Sequence, residues 1–329
     1  MSNSSGILVI AEASGGALVP ISTEVLGAAR RLADQTGQPV QAAILGSGVE
    51  GLAKDIIAFG ADQVYVVDDP LLAKYSTDGF LAAMEKVNAQ ASPAAILAGQ
   101  TDLGRDLMPR LVFRLGSSAA LDCLNVMMQD GKLVADRPCY GGNARAINSF
   151  KTSPAVATIR SKAQDPLERN DSRQGQVTKV DAGLDASAIR DKITAHQEVA
   201  EEGIRLEDAA VIVAGGRGVG SAEGFAGLED LAKILGGAVG ATRAACDSGW
   251  RPVSEQIGLT GKIVGPTLYF AIGISGASQH MAGCSGSKTI VAINKDAEAI
   301  VFKSSRFGIV EDYKKVMPAL IEACKKLRA

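Results

Sequence analysis

The feature that most constrains this chain is the regular alternation of short apolar runs with amphipathic stretches between residues 6 and 160. Short apolar runs are typical of strands buried on both faces of a sheet, and apolar side chains at helical spacing indicate helices. The predicted strands are Ile7–Ala13, Val40–Gly46, Gln63–Asp69 and Pro93–Gly99; the predicted helices are Thr23–Thr36, a segment through Ile56 and Ile57, Gly79–Gln90 and Gly104–Leu115, the last capped by Thr101 or Asp102. Alternating strands and helices predict a parallel α/β sheet with right-handed crossovers.

The pattern changes after Asp122. Asp130 and Gly131 form a hairpin turn signal between two strand-like runs, and a glycine pair and a third run follow. The sequence therefore predicts an antiparallel extension of the same sheet. Residues 161–205 are polar and poor in large apolar side chains, which favours a connection packed on the surface. The predicted organisation is an N-terminal α/β domain at 1–160, a connecting segment at 161–205 and a second domain at 206–329.

Composition excludes several functions. The 34 basic and 36 acidic residues give a net charge of −2, without the basic face that nucleic acid requires. The five cysteines are scattered without a CxxC pair, and with only two histidines, His196 and His280, we expect no metal site. The first residues carry no positive leader, and no apolar stretch approaches the roughly 18–20 residues of a membrane span. We expect a cytoplasmic protein without direct membrane insertion.

Glycine marks the second domain, where 18 of the chain's 37 glycines lie between residues 206 and 329. Glycine turns follow two predicted strands, Gly215–Gly218 after Ala209–Ala214 and Gly273–Gly276 after Leu268–Ile272. A strand, a glycine turn and a helix form the usual arrangement for binding phosphate. The first turn does not fit the GxGxxG spacing, so alone it favours a tight turn over a nucleotide site.

Polar side chains follow several predicted strands of this domain. They are Arg217, Thr242, Arg243, Ser275, Gln279, His280, Asn294 and Asp312. In parallel α/β sheets ligands bind at the carboxyl ends of the strands. These side chains and the two glycine turns together predict a crevice with a cationic end, suited to a pyrophosphate-linked dinucleotide.

Six sequence blocks, in order, cover nearly all of residues 206–329. They are GGRG, TRAACDSG, QIGLTGK, LYFAIGISGASQH, SKTIVAINKD and FGIVEDY. They closely resemble the C-terminal FAD domain of electron-transferring flavoprotein α-subunits, and the N-terminal half resembles that family's first domain more loosely. The resemblance implies a Rossmann-like FAD-binding domain, FAD as cofactor, and a heterodimer with the family's β-subunit.

The resemblance also implies the residues that contact the FAD. They are Arg217, Thr242, Arg243, Gln256, Ile257, Gly258, Leu259, Thr260, Ser275, Gly276, Ala277, Ser278, Gln279, His280, Asn294, Asp312 and Tyr313. Three of them would tune the flavin: Arg243 against the isoalloxazine ring, His280 near its pyrimidine carbonyl, and Thr260 through a hydroxyl that reaches nitrogen 5. Asn294 and Asp312 would lie toward the adenosine.

This assignment makes physical sense for an electron carrier. Reduction places negative charge on the pyrimidine side of a flavin, and a guanidinium and an imidazole N–H would stabilise that charge at low effective dielectric. By resemblance, electrons would come from a dehydrogenase such as an acyl-CoA dehydrogenase and pass to a membrane quinone reductase or another acceptor. The chain would be a redox-active carrier rather than an enzyme that converts a substrate by itself.

Three residues depart from the family pattern. Leu259 stands where the family often has glutamine, Phe307 replaces a frequent tyrosine, and Arg306 beside it is unexpected. A contact through the backbone would tolerate Leu259, whereas a side-chain contact would change the surroundings of the flavin.

Other functions stay open at this point. A bifurcating flavoprotein, whose β-subunit holds a second FAD and oxidises NADH, would have the same kind of α-chain. An NAD(P)-dependent hydride-transfer enzyme would need an acidic residue or a 2′-phosphate reader about 20 residues after the glycine turn. No Asp or Glu occurs around Leu235–Val239, which disfavours that enzyme. A nucleotide-sensing or scaffold domain would need no pair such as Arg243 and His280.

Overall fold

The computed structural model of the chain describes residues 4–130, 132–142, 144–191, 193–194 and 204–328. The chain divides into two units, one of Met1–Pro138 with Arg145–His196 and one of Cys139–Ala144 with Gln197–Ala329. Each unit contains a parallel sheet and helices, which confirms the predicted α/β class.

The first unit is built on a sheet of seven parallel strands. In chain order its elements are β1 (Ile7–Ala11), β2 (Ala13–Ser14), β3 (Ala17–Leu18), α1 (Pro20–Thr36), β4 (Val40–Gly46), α2 (Ala53–Ala58), β5 (Gln63–Asp68), α3 (Thr77–Ala91), β6 (Ala95–Gly99), α4 (Asp102–Arg114), β7 (Ser118–Cys123), β8 (Asn125–Gln129), β9 (Lys132–Cys139), β10 (Ala144–Ser149), β11 (Ala155–Ile159) and β12 (Gln176–Lys179). The strand order is β12-β5-β4-β1-β6-β11-β7. Every strand and helix predicted before residue 116 is present within a few residues of its predicted ends.

Burial on both faces of this sheet explains the continuous apolar runs. Along β1, Ile7 and Val9 belong to the same buried cluster as α1, whereas Leu8 and Ile10 belong to the cluster of α3 and α4. A strand covered on both sides needs no polar alternation. Thr101 is the N-cap of α4, since its hydroxyl accepts a hydrogen bond from the backbone N–H of Gly104 at 3.0 Å.

The region after Asp122 is antiparallel as predicted, but it does not extend the parallel sheet. β8 and β9 pair antiparallel, with Gln129 opposite Lys132, and together with β10 they form a separate three-stranded sheet. Residue 131 of the predicted turn lies outside the described residues, as does His196. β7 is the edge strand of the parallel sheet, where it pairs with β11, and the chain leaves that sheet before β8 begins.

The predicted connecting segment contains a strand of the first sheet. β12 pairs in parallel with β5 and extends that sheet past residue 160. Its sequence QVTK is polar and largely exposed, so it carries no apolar signal. The limits 1–160, 161–205 and 206–329 stay predictions.

The second unit holds six parallel strands. Its elements are β13 (Val211–Gly215), α5 (Ala226–Leu235), β14 (Ala238–Thr242), α6 (Arg243–Asp247), β15 (Gln256–Ile257), β16 (Leu268–Ile272), α7 (Ser278–Cys284), β17 (Thr289–Asn294), β18 (Phe307–Val310) and α8 (Tyr313–Arg328). The order is β15-β14-β13-β16-β17-β18. From β13 the chain runs outward to β14 and β15 and then returns to β16 on the other side of β13. Ligands of open α/β sheets bind outside the carboxyl ends of the strands at such a switch point.

Among the described residues, no helix combines the length and the apolar character that crossing a membrane requires.

Candidate cofactor site

Two glycine turns meet at the switch point. Gly216 lies just after β13 and donates its N–H to the carbonyl of Ile272 at 2.9 Å, while Gly218 donates to the carbonyl of Gly273 at 3.0 Å. A Cβ atom on Gly216 would lie 2.4 Å from the Gly273 oxygen, and Gly273 itself has φ +62°. Only glycine permits this contact between backbones. The turns therefore bring main chain, without side chains, to the mouth of the crevice.

A cavity of about 820 Å³ opens at these turns. Its walls come from the carboxyl ends of β13, β14, β16 and β17 and from the loop after β15. The lining residues are Gly216, Arg217, Gly218, Thr242, Arg243, Ala244, Asp247, Gln256, Ile257, Gly258, Leu259, Thr260, Gly273, Ile274, Ser275, Ala277, Gln279, His280, Asn294, Lys295, Asp296 and Ala299. Its size is in the upper part of the range usual for small-molecule and cofactor sites, about 300–1,000 Å³.

Arg243 supplies a cation at this cavity. It is the first residue of α6, and its Nε lies 3.3 Å from a carboxylate oxygen of Asp247, one turn later. Both side chains are well exposed, at 69% and 64%. An exposed pair of this kind contributes only about 0.2–1 kcal/mol. The guanidinium can therefore turn toward an anionic ligand at little cost.

The loop that follows β15 presents a hydroxyl to the cavity. The buried amide of Gln256 donates from Nε2 to Oγ1 of Thr260 at 3.2 Å. Because the oxygen of Thr260 accepts that bond, its O–H proton is left to donate elsewhere. This exposed hydroxyl can therefore donate a hydrogen bond to an acceptor atom of a bound ligand.

His280 lies in α7 and is 7% exposed. Its Nδ1 is 3.0 Å from the carbonyl of Ile257, and its Nε2 is 2.9 Å from the hydroxyl of Tyr269. Burial lowers the pKa of His280 to about 4, although the bond to Ile257 opposes that shift. The imidazole is therefore neutral near pH 7, and both of its nitrogens already have protein partners. Donation of an N–H to a flavin, as the resemblance implied, would require His280 to give up one of them.

Asn294 ties the end of β17 to the second glycine turn. Its Nδ2 donates to the carbonyl of Ile274 at 2.9 Å, and its Oδ1 accepts the backbone N–H of Asp296 at 3.0 Å. The side chain lines the cavity while it holds the turn in place. Asn294 therefore helps to shape the cavity through hydrogen bonds within the chain.

Comparison with known proteins identifies the family. Residues 7–185 match the family described as electron transfer flavoprotein domain, and residues 205–285 match that described as electron transfer flavoprotein FAD-binding domain. Electron transfer flavoprotein subunit alpha of Thermoanaerobacterium thermosaccharolyticum is 46% identical over 330 residues that cover 100% of both chains. The chain belongs to the electron transfer flavoprotein α-subunit family. The subunit alpha of Megasphaera elsdenii is 43% identical over 98% of this chain and 96% of its own. Protein FixB of Clostridium saccharobutylicum is 41% identical over 98% and 97%.

Most of the residues that the flavoprotein resemblance named do come together. Those at the cavity are Arg217, Thr242, Arg243, Gln256, Ile257, Gly258, Leu259, Thr260, Ser275, Ala277, Gln279, His280 and Asn294. The match to the family's FAD-binding domain extends from before Arg217 to beyond His280 but ends before Asn294. The chain therefore has the flavin-binding domain of its family, and the role of each residue in it stays a prediction.

Four of the named residues do not line the cavity. Gly276, with φ +86°, packs against the backbone of Val301, where a Cβ atom would lie 2.2 Å from the nitrogen. The Tyr313 hydroxyl donates to the carbonyl of Val219 at 3.0 Å, and Asp312 accepts the N–H of Lys314 at the start of α8. These three residues therefore stabilise the backbone around the cavity without lining it. The fourth, Ser278, is exposed at the start of α7, where its hydroxyl lies 3.4 Å from Oε1 of Gln279.

Nine lining residues were not predicted from the sequence. They are Gly216, Gly218, Ala244, Asp247, Gly273, Ile274, Lys295, Asp296 and Ala299. Gly216, Gly218 and Gly273 belong to the two predicted glycine turns, although these three residues were not predicted as contacts. Lys295 and Asp296 directly follow Asn294 at a strand end, so the rule that found Asn294 also points to them.

Leu259 shows what the departure from the family pattern changes. Its backbone N–H donates to the carbonyl of Gln279 at 2.8 Å, so the backbone donor already has a partner. The side chain is 61% exposed and lines the cavity. An apolar surface therefore replaces an amide at this point of the wall. Phe307 and Arg306 do not line the cavity; the Arg306 guanidinium lies 5.8 Å from the centre of the Phe307 ring.

Thr242 tests whether the cavity fits a polar cofactor. Its Oγ1 is buried and has no hydrogen-bond partner among the described residues, although the residue lines the cavity. A buried hydroxyl without a partner costs about 1–3 kcal/mol. A ligand with a polar group at this point would remove that cost. Together with the cation of Arg243 and the hydroxyl of Thr260, Thr242 fits an anionic nucleotide such as a flavin nucleotide.

Proposed function

We propose that this chain is the FAD-carrying subunit of a heterodimeric electron transfer flavoprotein. It accepts electrons from a dehydrogenase, of which an acyl-CoA dehydrogenase is the proposed type, and passes them to a membrane quinone reductase or another acceptor. The observation that carries this proposal is the cavity at the switch point. It combines two glycine turns with the unpaired hydroxyl of Thr242 and the cation of Arg243, inside the segment that matches the FAD-binding family.

Bound FAD supplies one- and two-electron chemistry that amino-acid side chains lack. The chain's own residues bind and orient the cofactor and set the potential around it. Arg243 would supply positive charge to a bound flavin that gains negative charge on reduction, and Thr260 can donate its hydroxyl proton because its oxygen accepts from Gln256. Gly216, Gly218 and Gly273 let a phosphate-bearing ligand approach the main chain.

The NAD-dependent form of the hydride-transferring enzyme receives no support from the site. Dinucleotide-binding domains of that type place an acidic residue near the end of the second strand. Here that strand is β14, which ends in Thr242 and is followed by Arg243. The acidic residue that follows, Asp247, lies five positions beyond the end of β14.

The test is to produce the chain together with a β-subunit of its family and to record the visible spectrum of the purified heterodimer. We expect the two absorbance bands of an oxidised flavin, and chromatography of the released cofactor should identify FAD. Preparations that carry no flavin would overturn the proposal. Mixing with a reduced acyl-CoA dehydrogenase should bleach the bands, and failure to do so would overturn the proposed donor.

The same preparation separates the simple carrier from the bifurcating version. One FAD for each heterodimer, without reduction by NADH, would establish the simple carrier. Two FAD molecules for each heterodimer, with reduction by NADH, would instead establish the bifurcating version. The FAD of this chain would be present in both cases.

A further inference from the structure

The loop of residues 256–262, which forms one wall of the cavity, is closed on itself by main-chain hydrogen bonds. The N–H of Lys262 donates to the carbonyl of Gln256 at 2.7 Å, and the N–H of Gly258 donates back to the carbonyl of Lys262 at 3.2 Å. At Gly261 an added Cβ atom would lie 2.4 Å from the carbonyl oxygen of Gln256, so this turn is closed too tightly for a side chain. The loop therefore has a fixed shape of its own.

Helix α7 holds this loop through main chain. Gln279 and Gly283 are four positions apart and so lie on the same face of the helix. The carbonyl of Gln279 accepts the N–H of Leu259 at 2.8 Å, and the carbonyl of Gly283 accepts the N–H of Val264 at 2.7 Å. A Cβ atom on Gly283 would lie 2.4 Å from the nitrogen of Gly258 and 2.5 Å from its Cα, far inside van der Waals contact. Only glycine at position 283 lets the loop lie this close to the helix.

The tip of the loop presents two side chains to the cavity. Residues 256–258 are buried, whereas Leu259 and Thr260 are exposed, and all five line the cavity. The N–H of Leu259 is bonded to α7, so its side chain rather than that donor is left for a ligand. The hydroxyl of Thr260 accepts from Nε2 of Gln256 in the buried base. Both tip residues therefore take their positions from backbone that rests on α7.

We propose that Gly283 is a positioning residue of the cofactor site: the lack of a side chain at this position seats the loop of residues 256–262 on α7 and thereby places Leu259 and Thr260 in the cavity. Gly283 does not itself line the cavity, so it acts through the loop. That the ligand is FAD rests on the proposed function, whereas the seating of the loop does not. The loop has its shape before any ligand binds.

Hydrogen exchange of the wild-type heterodimer, before and after removal of the flavin, tests this seating without any substitution. The N–H groups of Leu259 and Val264 donate to α7, so we expect both to exchange at least about 100-fold more slowly than in an unstructured chain, with or without FAD. Protection that appears only with FAD would overturn the proposal, because the cofactor and not the helix would then position the loop. A heterodimer that carries no flavin would refute the proposed function and leave this exchange measurable.

Gly283→Ala adds only the Cβ atom for which the contact with Gly258 leaves no room. We expect the loop to shift, the absorbance maxima of the bound flavin to move, and the dissociation constant for FAD to rise about tenfold, the effect of one or two weakened hydrogen bonds. The exchange measurement decides the question even if this variant does not fold.

Gly237→Ala is the matched control. Its Cβ atom would lie equally close to main chain, 2.4 Å from the carbonyl oxygen of Val211, but at the amino ends of β13 and β14, at the opposite edge of the sheet from the cavity. This variant should lose stability while its FAD affinity and flavin spectrum stay those of the wild type. An equal rise of the dissociation constant in both variants, or no rise in Gly283→Ala, would refute the positioning role.

Discussion

At the scale of one residue, Thr242 illustrates how a binding site lowers the free energy of unfolding of the ligand-free protein. Its buried hydroxyl has no partner among the described residues. Thr242→Val keeps the shape and removes the unpaired oxygen, so we expect the FAD-free heterodimer to gain about 1 kcal/mol in free energy of unfolding. The same change should weaken FAD binding about fivefold or more, because a hydrogen bond to the cofactor is lost. Thermal unfolding with and without FAD measures both effects.

Thr158 provides the control for that prediction. It is 0% exposed and fully satisfied, since its Oγ1 accepts the N–H of Asp122 at 2.9 Å and donates to the side chain of Gln100. Thr158→Val should therefore destabilise the first unit by about 1–3 kcal/mol and leave FAD affinity unchanged. A loss of stability in both variants would show that the Thr242 hydroxyl has a partner in solution.

Arg243 is the residue whose charge should matter most to a bound flavin. One charge-assisted hydrogen bond contributes about 1.5–3 kcal/mol, and about 1.4 kcal/mol corresponds to 59 mV for one electron. The side chain is 69% exposed, so we expect the lower end of the effect. Arg243→Ala should make the flavin harder to reduce by roughly 60 mV, while Arg243→Lys should keep most of the potential. A redox titration that gives the wild-type potential for both variants would contradict this role.

Residue roles were the least predictable part of the site from sequence. Arg217, Arg243 and Asn294 were predicted because each follows a strand, and the carboxyl ends of parallel strands lie at one edge of the sheet, where ligands bind. It could not show that His280 turns inward, since that depends on Tyr269, which comes from a neighbouring strand, and on the carbonyl of Ile257. Likewise Tyr313 lies against Val219, which is 94 positions away. Such contacts depend on how the elements pack and leave no local pattern.

At the scale of elements, the second glycine turn depends on backbone that no other residue can adopt without strain. Gly276 has φ +86°, and an added Cβ atom would lie 2.2 Å from the nitrogen of Val301. Gly276→Ala must therefore both accept a left-handed conformation and move a backbone atom. We expect a loss of more than about 2 kcal/mol in free energy of unfolding, measured by denaturant titration.

Gly249 separates those two causes. It has φ +73° but no atom within 4 Å of the position that a Cβ would take. Gly249→Ala should cost only the conformational term, about 1–2 kcal/mol. Equal losses in the two variants would mean that the contact with Val301 relaxes freely and that the turn is not rigid.

Elements with a buried face were predicted well, and elements without one were missed. The apolar runs of β1, β4 and β6 are buried along their whole length, and the sequence located each of them. β12 and β18 lie at the outer edges of the two parallel sheets and are mostly exposed. An edge strand is held by hydrogen bonds to one neighbour, which any sequence can make, so neither periodicity nor composition marks it. The separate antiparallel sheet was missed for a related reason, since a hairpin signal does not specify what the hairpin pairs with.

At the scale of the whole molecule, the two units carry buried titratable groups that change the stability of their units in opposite directions as the pH rises. In the first unit burial raises the pKa of Glu12 to about 7, although a hydrogen bond from Thr101 opposes it. Burial likewise raises the pKa of Glu24 to about 7 against the N–H of Lys162. In the second unit burial lowers the pKa of His280 to about 4.

The sign of each effect follows from which state binds more protons. Between about pH 4.5 and pH 7 the folded first unit holds protons on Glu12 and Glu24 that the unfolded chain has released, so its stability falls as pH rises. Between about pH 4 and pH 6.5 the unfolded chain protonates His280 and the folded second unit does not, so stability there rises with pH. Asp78, whose pKa Arg190 holds near 2, titrates below both ranges.

We therefore predict that raising the pH from about 5 to about 6.5 destabilises the first unit and stabilises the second. Each of these groups contributes at most about 1.4 kcal/mol per pH unit, and Glu12, which is less buried than Glu24, contributes less. Trp250 is the chain's single tryptophan and lies in the second unit, so its fluorescence follows denaturant unfolding of that unit. Cys123 is buried and is the one cysteine within Met1–Pro138 and Arg145–His196, so its alkylation, read by mass spectrometry, follows unfolding of the first unit. Glu12→Gln, which mimics the protonated carboxyl, should flatten the slope seen at Cys123 and leave that seen at Trp250 unchanged. Midpoints that move in the same direction at both probes would show that the buried carboxyls do not control the first unit.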